Sequence, residues 1–168
     1  MSSIQVNVDG DVEELMKRLR TMENVDFKGV LNAVGEGLRT STAERFERGE
    51  APDGSAWKKS VRARDGGGKT LIDTAVLRNS INVRNGSAGV AVGTNDIRAA
   101  THQFGDSRTI RAKNGKRLTF QVGGRWRSVE SVTIHIPARP FLGISDEDEQ
   151  EIKETLEEAM AEAMEGVG

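Results

Sequence analysis

Cysteine and tyrosine are both missing from this chain. Without cysteine there is no disulfide and no thiolate metal ligand, a composition compatible with a reducing cytoplasm. Aromatic residues make up only 4% and proline occurs three times, so few large side chains are available to build a core. No apolar run approaches the roughly 20 residues that cross a bilayer. The opening residues Met1-Ser2-Ser3-Ile4-Gln5-Val6 lack the basic-then-apolar order of a secretory signal. A soluble protein made in the cytoplasm is expected, with no membrane partner. The signatures of catalysis are equally scarce. No Gly-x-Ser-x-Gly elbow and no cysteine nucleophile exist, and no pair of carboxylates is set apart for acid–base work. No enzyme, cofactor, metal site or small-molecule substrate is expected.

What is present is glycine, with 19 residues, and charge, at 30% of 168 residues. That length suits a single domain spanning 1–168, and a chain near 150 residues hides roughly 70% of its unfolded surface. With 36% hydrophobic residues, a subunit that completes its burial against neighbours is expected. The net charge of −2 hides two opposed halves. Asp146 to Glu165 carries −9, leaving +7 on the rest, and Arg108 to Arg127 holds seven basic residues and no acid. Surfaces of opposite sign attract like copies or an outside polyanion.

Periodicity gives the elements. Ile4 to Val8 alternates as a short strand, and Val12, Leu15, Met16, Leu19 and Met22 recur at helical spacing. A second helix starts at an Asp26 cap, with Phe27, Val30, Leu31, Val34, Leu38 and Phe46 on one stripe. Gly35 and Gly37 each cost it up to about 1 kcal/mol relative to alanine, so either a neighbour packs close or the helix is locally weak, and close packing is the favoured reading. Residues from about 49 to 70, ending in Gly66-Gly67-Gly68, read as a mobile loop. Leu71 to Ser80 suggests a short capped helix. Strands follow: Asn85-Gly86 and Asn114-Gly115 each signal a hairpin, the second forming a basic hairpin at about 108–127. Val129 to Ile136 is a third run, stopped by Pro137. Ser145 caps an acidic helix at about 145–165, with Ile152, Leu156, Ala159, Met160 and Ala163 on its apolar face. The expected class is α+β, an antiparallel sheet of hairpins with long helices packed on one face.

Gly66-Gly67-Gly68-Lys69-Thr70 imitates part of a phosphate-binding loop, but the first glycine of that pattern falls on Ala63 and no apolar strand precedes it. A flexible loop is the better reading. His102 and His135 stand far apart and read as satisfied structural residues rather than zinc ligands. The basic stretch containing Arg108, Arg111, Lys113, Lys116 and Arg117 can be a solvated hairpin, a subunit contact or a DNA-facing surface. With only Phe120 and Trp126 as aromatics there, stacking on single-stranded bases has little support, and the first two readings outweigh direct DNA contact.

Four segments in register resemble the virion morphogenesis (tail completion) family of Mu-like tailed phages. They are Arg45-Phe46-Glu47-Arg48 running into Pro52-Asp53-Gly54 and Trp57; Leu71-Ile72-Asp73-Thr74-Ala75-Val76-Leu77-Arg78-Asn79-Ser80-Ile81; Val92-Gly93-Thr94-Asn95 with Ala99-Ala100-Thr101-His102-Gln103-Phe104-Gly105; and Ile136-Pro137-Ala138-Arg139-Pro140-Phe141-Leu142-Gly143-Ile144. The likeness runs from about Arg39 to the C-terminus. Ala75 stands where the family commonly has glycine. The resemblance implies a non-catalytic virion part that finishes tails or joins them to heads, as a homo-oligomeric ring among other neck or tail proteins. It would be assembled in the bacterial host cytoplasm and could contact packaged DNA. A DNA-binding accessory protein using the basic hairpin is the alternative. Pro137 and Pro140 stiffen the exit from the last strand, and Arg139 between them suits a forked bond to a carboxylate, making it a candidate interface residue. Phe46, Trp57, Leu77, Phe104, Phe141 and Leu142 are the expected structural anchors, with the two prolines.

Overall fold

A computed structural model describes residues 25–86 and 89–165. The expected strand at Ile4 to Val8 and the helical stripe from Val12 to Met22 lie outside the described residues.

The first helix, α1, spans Phe27–Arg48, and the Asp26 side chain caps it by accepting from Gly29 N at 3.0 Å. It stops at Gly49, whose φ of 75° is left-handed and whose N–H returns to the Arg45 carbonyl at 2.7 Å. The following chain folds back, with Trp57 N donating to Gly49 O at 2.8 Å. Inside the stretch read as loop, the structure places a one-turn helix, α2 (Val61–Asp65), capped by Ser60. The next helix is shorter than expected: α3 covers only Val76–Asn79. Its N-cap is Ala75 at φ 57°, with no side-chain cap bond, so the expected side-chain cap is absent. A left-handed turn at this position favours glycine over alanine.

Strands β1 (Asn82–Gly86) and β2 (Gly89–Gly93) pair antiparallel, with Gly86 opposite Gly89. Asn85 and Gly86 therefore belong to the ladder rather than to a turn. The helix α1 lies on this ribbon at Gly35, where an added Cβ would come within 2.5 Å of Val83 and 2.6 Å of Val90. Close packing is thus the reason for a mid-helix glycine. Helix α4 (Ala99–Phe104) leads to β3 (Asp106–Arg111), β4 (Leu118–Val122), β5 (Arg125–Val129) and β6 (Ser131–Ile136), and the acidic α5 spans Asp146–Glu165.

The α+β class holds, but the strands of the described residues form three two-stranded ribbons rather than one sheet. The basic hairpin expected at about 108–127 is also differently paired. Strand β3 pairs with β6, and β4 pairs with β5. Asn114 and Gly115 do turn the chain, both at positive φ, with Lys116 N reaching Lys113 O at 3.1 Å. Gly123 and Gly124, at φ 56° and 77°, form the tighter reversal that joins β4 to β5. The β4–β5 hairpin is therefore nested at the far end of the β3–β6 ribbon, and together they make an arm.

The core is small: Phe46, Ala51, Trp57, Leu77, Ile81 and Phe141, with Leu142 among the half-buried residues against it. Phe46 contacts Trp57 edge-on at 5.6 Å between centroids and Phe141 at 5.1 Å. With so few aromatics in the chain, these three rings carry much of the centre. Phe104 departs from the expected anchors. Its neighbour Gln103 takes the inward position, and Phe104, one helical step on, is 79% exposed.

Candidate functional site

Two regions carry the side chains singled out by sequence: the arm, and the junction where the four segments meet.

On the arm, opposed residues of an antiparallel pair share a face. One face of β3–β6 holds Arg108, Ile110, Val132, Ile134 and Ile136, with Asp106; the other holds Ser107, Thr109, Arg111, Ser131, Thr133 and His135. The polar face is knitted by Thr109–Thr133 at 2.8 Å and Ser107–His135 Nδ1 at 2.9 Å, so His135 is satisfied as expected. On β4–β5, Leu118, Phe120, Val122 and Val129 share a face with Arg125 and Arg127, while Trp126 stands on the reverse and is 71% exposed. Arg108, Arg111, Lys113, Lys116 and Arg117 are all exposed. Arg108 reaches Asp106 at 3.3 Å, and Arg117 donates to Ser128 O at 2.7 Å. Among the described residues, neither ribbon of the arm packs against a helix as β1–β2 packs against α1.

The junction was only partly visible in sequence. Gln103 clamps the segment after Pro140: its Oε1 accepts from Phe141 N and Leu142 N, each at 3.0 Å, and its Nε2 donates to Leu142 O at 2.9 Å. Trp57 Nε1 donates to Pro140 O at 2.8 Å, and Arg139 Nε to Lys58 O at 2.8 Å. The third and fourth segments are thus bound to each other and to the first, with Pro137 and Pro140 half-buried beside them. Gln103 sits inside a segment chosen by resemblance, but no pattern marked its amide as the clamp.

A buried ion pair ties α1 to α5. Arg45 and Asp148, 4% and 3% exposed, are bonded directly. Arg45 also donates to Gly143 O at 2.8 Å and to Ser41 Oγ at 3.2 Å. Burial alone would raise the Asp148 pKa, but hydrogen bonds from Ser41 and Ser145 and the Arg45 charge outweigh it and hold the carboxyl below its usual range. Asp148 is at the same time the third residue of α5 and closes a capping box with Ser145. Ser145 N donates to it at 2.8 Å, and Asp148 N donates to Ser145 Oγ at 3.2 Å. The spacing from Ser145 to Asp148 signals the box; nothing in the sequence names Arg45 as its partner.

Arg139 stands apart from the other candidate contact residues, being 6% exposed rather than on the outer surface. Its N–H donates to the His102 carbonyl at 2.7 Å. His102 is not the satisfied residue expected, because its Nδ1 is buried with no hydrogen-bond partner among the described residues. Arg139 and His102 line a small cavity between α4 and the residues leading into α3. The glycine-rich imitation of a phosphate loop follows a helical turn. Its Lys69 is paired with Glu47, and Thr70 Oγ1 accepts from Ser60 N at 3.2 Å. No helix of the described residues is long and apolar enough to cross a membrane.

Comparison with known proteins covers all four segments. The phage virion morphogenesis family matches residues 8–161. The chain is also 31% identical over 158 residues to the Mu-like prophage FluMu G protein 2 of Haemophilus influenzae, covering 94% of this chain and 95% of that protein. No solved structure matches. With the family covering nearly all of the sequence and every segment of the buried junction, the chain belongs to the phage virion morphogenesis family.

Proposed function

We propose that the chain is a structural subunit of the virion that acts in tail completion or head–tail joining, as one of a ring of copies. Its family supports a part in phage virion assembly. One observation carries the finer reading: among the described residues, no helix is laid over the basic and apolar arm as α1 is laid over β1–β2. A lone two-stranded ribbon is at best marginally stable in water, so such an arm gains its stability by docking. The acidic α5 offers the matching surface, with Leu156, Met160 and Met164 38%, 51% and 55% exposed along one side. The arm and α5 are different patches, so a contact between copies is head-to-tail, the kind that closes into rings. Other neck or tail proteins are the further partners, and assembly takes place in the host cytoplasm.

The test is genetic. A phage lacking this chain is expected to yield filled heads and unfinished or unjoined tails, restored by supplying the protein. Intact infectious particles from the deletion would refute the role. Exposure of Arg108, Arg111, Lys113, Lys116 and Arg117 favours DNA contact as the second reading. That reading predicts an electrophoretic shift of duplex DNA whose affinity falls steeply with salt. A structural subunit gives no shift at physiological salt.

A further inference from the structure

We propose that the cavity beside Arg139 and His102 is a socket for a carboxylate, presented as an Asp or Glu side chain by a second copy of this chain. The cavity measures about 230 Å³ and is walled by Arg98, His102 and Arg139 with Arg62, Thr74 and Leu77. Its cations are unequally engaged. Arg98 is held by Asp96 through Nε at 2.9 Å, and that bond with the Arg98 backbone N–H lowers the Asp96 pKa to about 2. Arg62 donates to the carbonyls of Lys69 and Ile72 at 2.8 and 2.7 Å and lies 3.8 Å from the exposed Asp73. Arg139 has only the Lys58 carbonyl, on Nε. Among the described residues no carboxylate lies within ion-pair distance of its guanidinium, and burial alone pushes its pKa down.

A buried charge without a counter-charge is costly, and proteins place one where something is to be bound. The neighbouring His102 is favoured in its neutral form. Its Nδ1 is buried and has no hydrogen-bond partner among the described residues. Its pKa is lowered first by burial, then by the charges of Arg139 and Arg98, against a smaller opposite effect of Asp96. An anionic acceptor entering the cavity would engage the edge of Arg139 that makes no hydrogen bond among the described residues. A planar anion with two oxygens matches the guanidinium fork, and Leu77 and Val76 on the wall accommodate the methylenes of an acidic side chain. The prolines on either side of Arg139 fix its backbone, so the fork is held ready.

The choice of a subunit side chain as occupant rests on the assembly reading above; the preference of the cavity for a carboxylate does not. With only two histidines in the chain, imidazole NMR signals of the full-length protein separate the site from an internal control. Acetate should shift the His102 signals saturably and raise its pKa, with His135 unmoved and chloride at equal ionic strength without effect. Arg139→Gln should abolish the response, and Arg139→Lys should retain part of it. The wild-type titration decides the matter even if a variant fails to fold. Equal responses of both histidines to acetate and chloride would eliminate the site, and saturation by inorganic phosphate but not acetate would overturn the carboxylate assignment. Acetate should also weaken self-association, measured by sedimentation, relative to chloride. Self-association indifferent to acetate would exclude a subunit's side chain as occupant while leaving the ring reading intact. Complete absence of self-association would remove that reading and its occupant together, leaving the histidine titration to judge the pocket.

Discussion

Arg45 and Asp148 are the most consequential pair of residues in the structure, because together they fix the acidic helix to the core. Removing one partner of a buried pair leaves an uncompensated charge and typically costs about 3–5 kcal/mol. Asp148→Asn is therefore expected to lower stability by roughly 3 kcal/mol or more in chemical denaturation at neutral pH. The native state depresses the Asp148 pKa, so its contribution is complete above the ordinary aspartate value of about 4. It fades as pH falls through the lowered native value. The gap between wild type and Asp148→Asn should therefore close in acid, and a gap that persists at low pH would show that the charge is not the cause. A second residue-scale test concerns Ala75 at φ 57°. A left-handed alanine costs about 1–2 kcal/mol, partly offset by the greater chain entropy of glycine. Ala75→Gly should raise stability by about 0.5–1 kcal/mol on that balance, and a loss of stability would contradict the strain. Sequence located the Asp26 cap, the Ser145 cap and the aromatic anchors Phe46, Trp57 and Phe141, because caps and large apolar residues announce themselves locally. It misplaced Phe104 and took His102 for satisfied, since which way a side chain turns on a one-turn helix depends on what lies across from it.

Among the elements, α1 and α5 were legible nearly to the residue, whereas the strand pairing was not. Asn114-Gly115 is a true turn signal, yet turn chemistry says only that the chain bends. Gly123-Gly124 formed the tighter reversal and drew β4 onto β5, leaving β3 free for β6. Short apolar runs carry little that distinguishes one partner from another, because pairing is decided by long-range closure. The glycine in α1 is clearer. Gly35→Ala would gain helix propensity of up to about 1 kcal/mol, but its Cβ meets two stiff valines, Val83 and Val90. Overpacking of this kind costs about 1–3 kcal/mol, so a net loss of stability is expected on thermal melting. A stabilised variant would mean that the ribbon yields. For the arm, hydrogen exchange should be faster at β3 to β6 in the free protein than in the middle of α1, and slower once copies assemble. Equal protection in the free chain would mean that the arm is already covered.

At the scale of the whole molecule, the charge division is the feature that sequence exposed most fully: −9 on the last helix and +7 elsewhere. Folding sets much of the positive charge on an arm that no helix of the described residues covers, and the negative charge on a helix whose Leu156, Met160 and Met164 are partly bare. The convergence of the four family segments on one buried junction could not be read from their order, because contacts such as Gln103 to Phe141 and Leu142 span dozens of residues. The head-to-tail contact between arm and acidic helix is the central claim, and sedimentation velocity at several salt concentrations tests it most directly. Charge reversal of Arg111, Lys113 and Arg117 to Glu is expected to weaken self-association, with the largest deficit at low salt, where screening is least. A variant that associates as the wild type does at every salt concentration would contradict it.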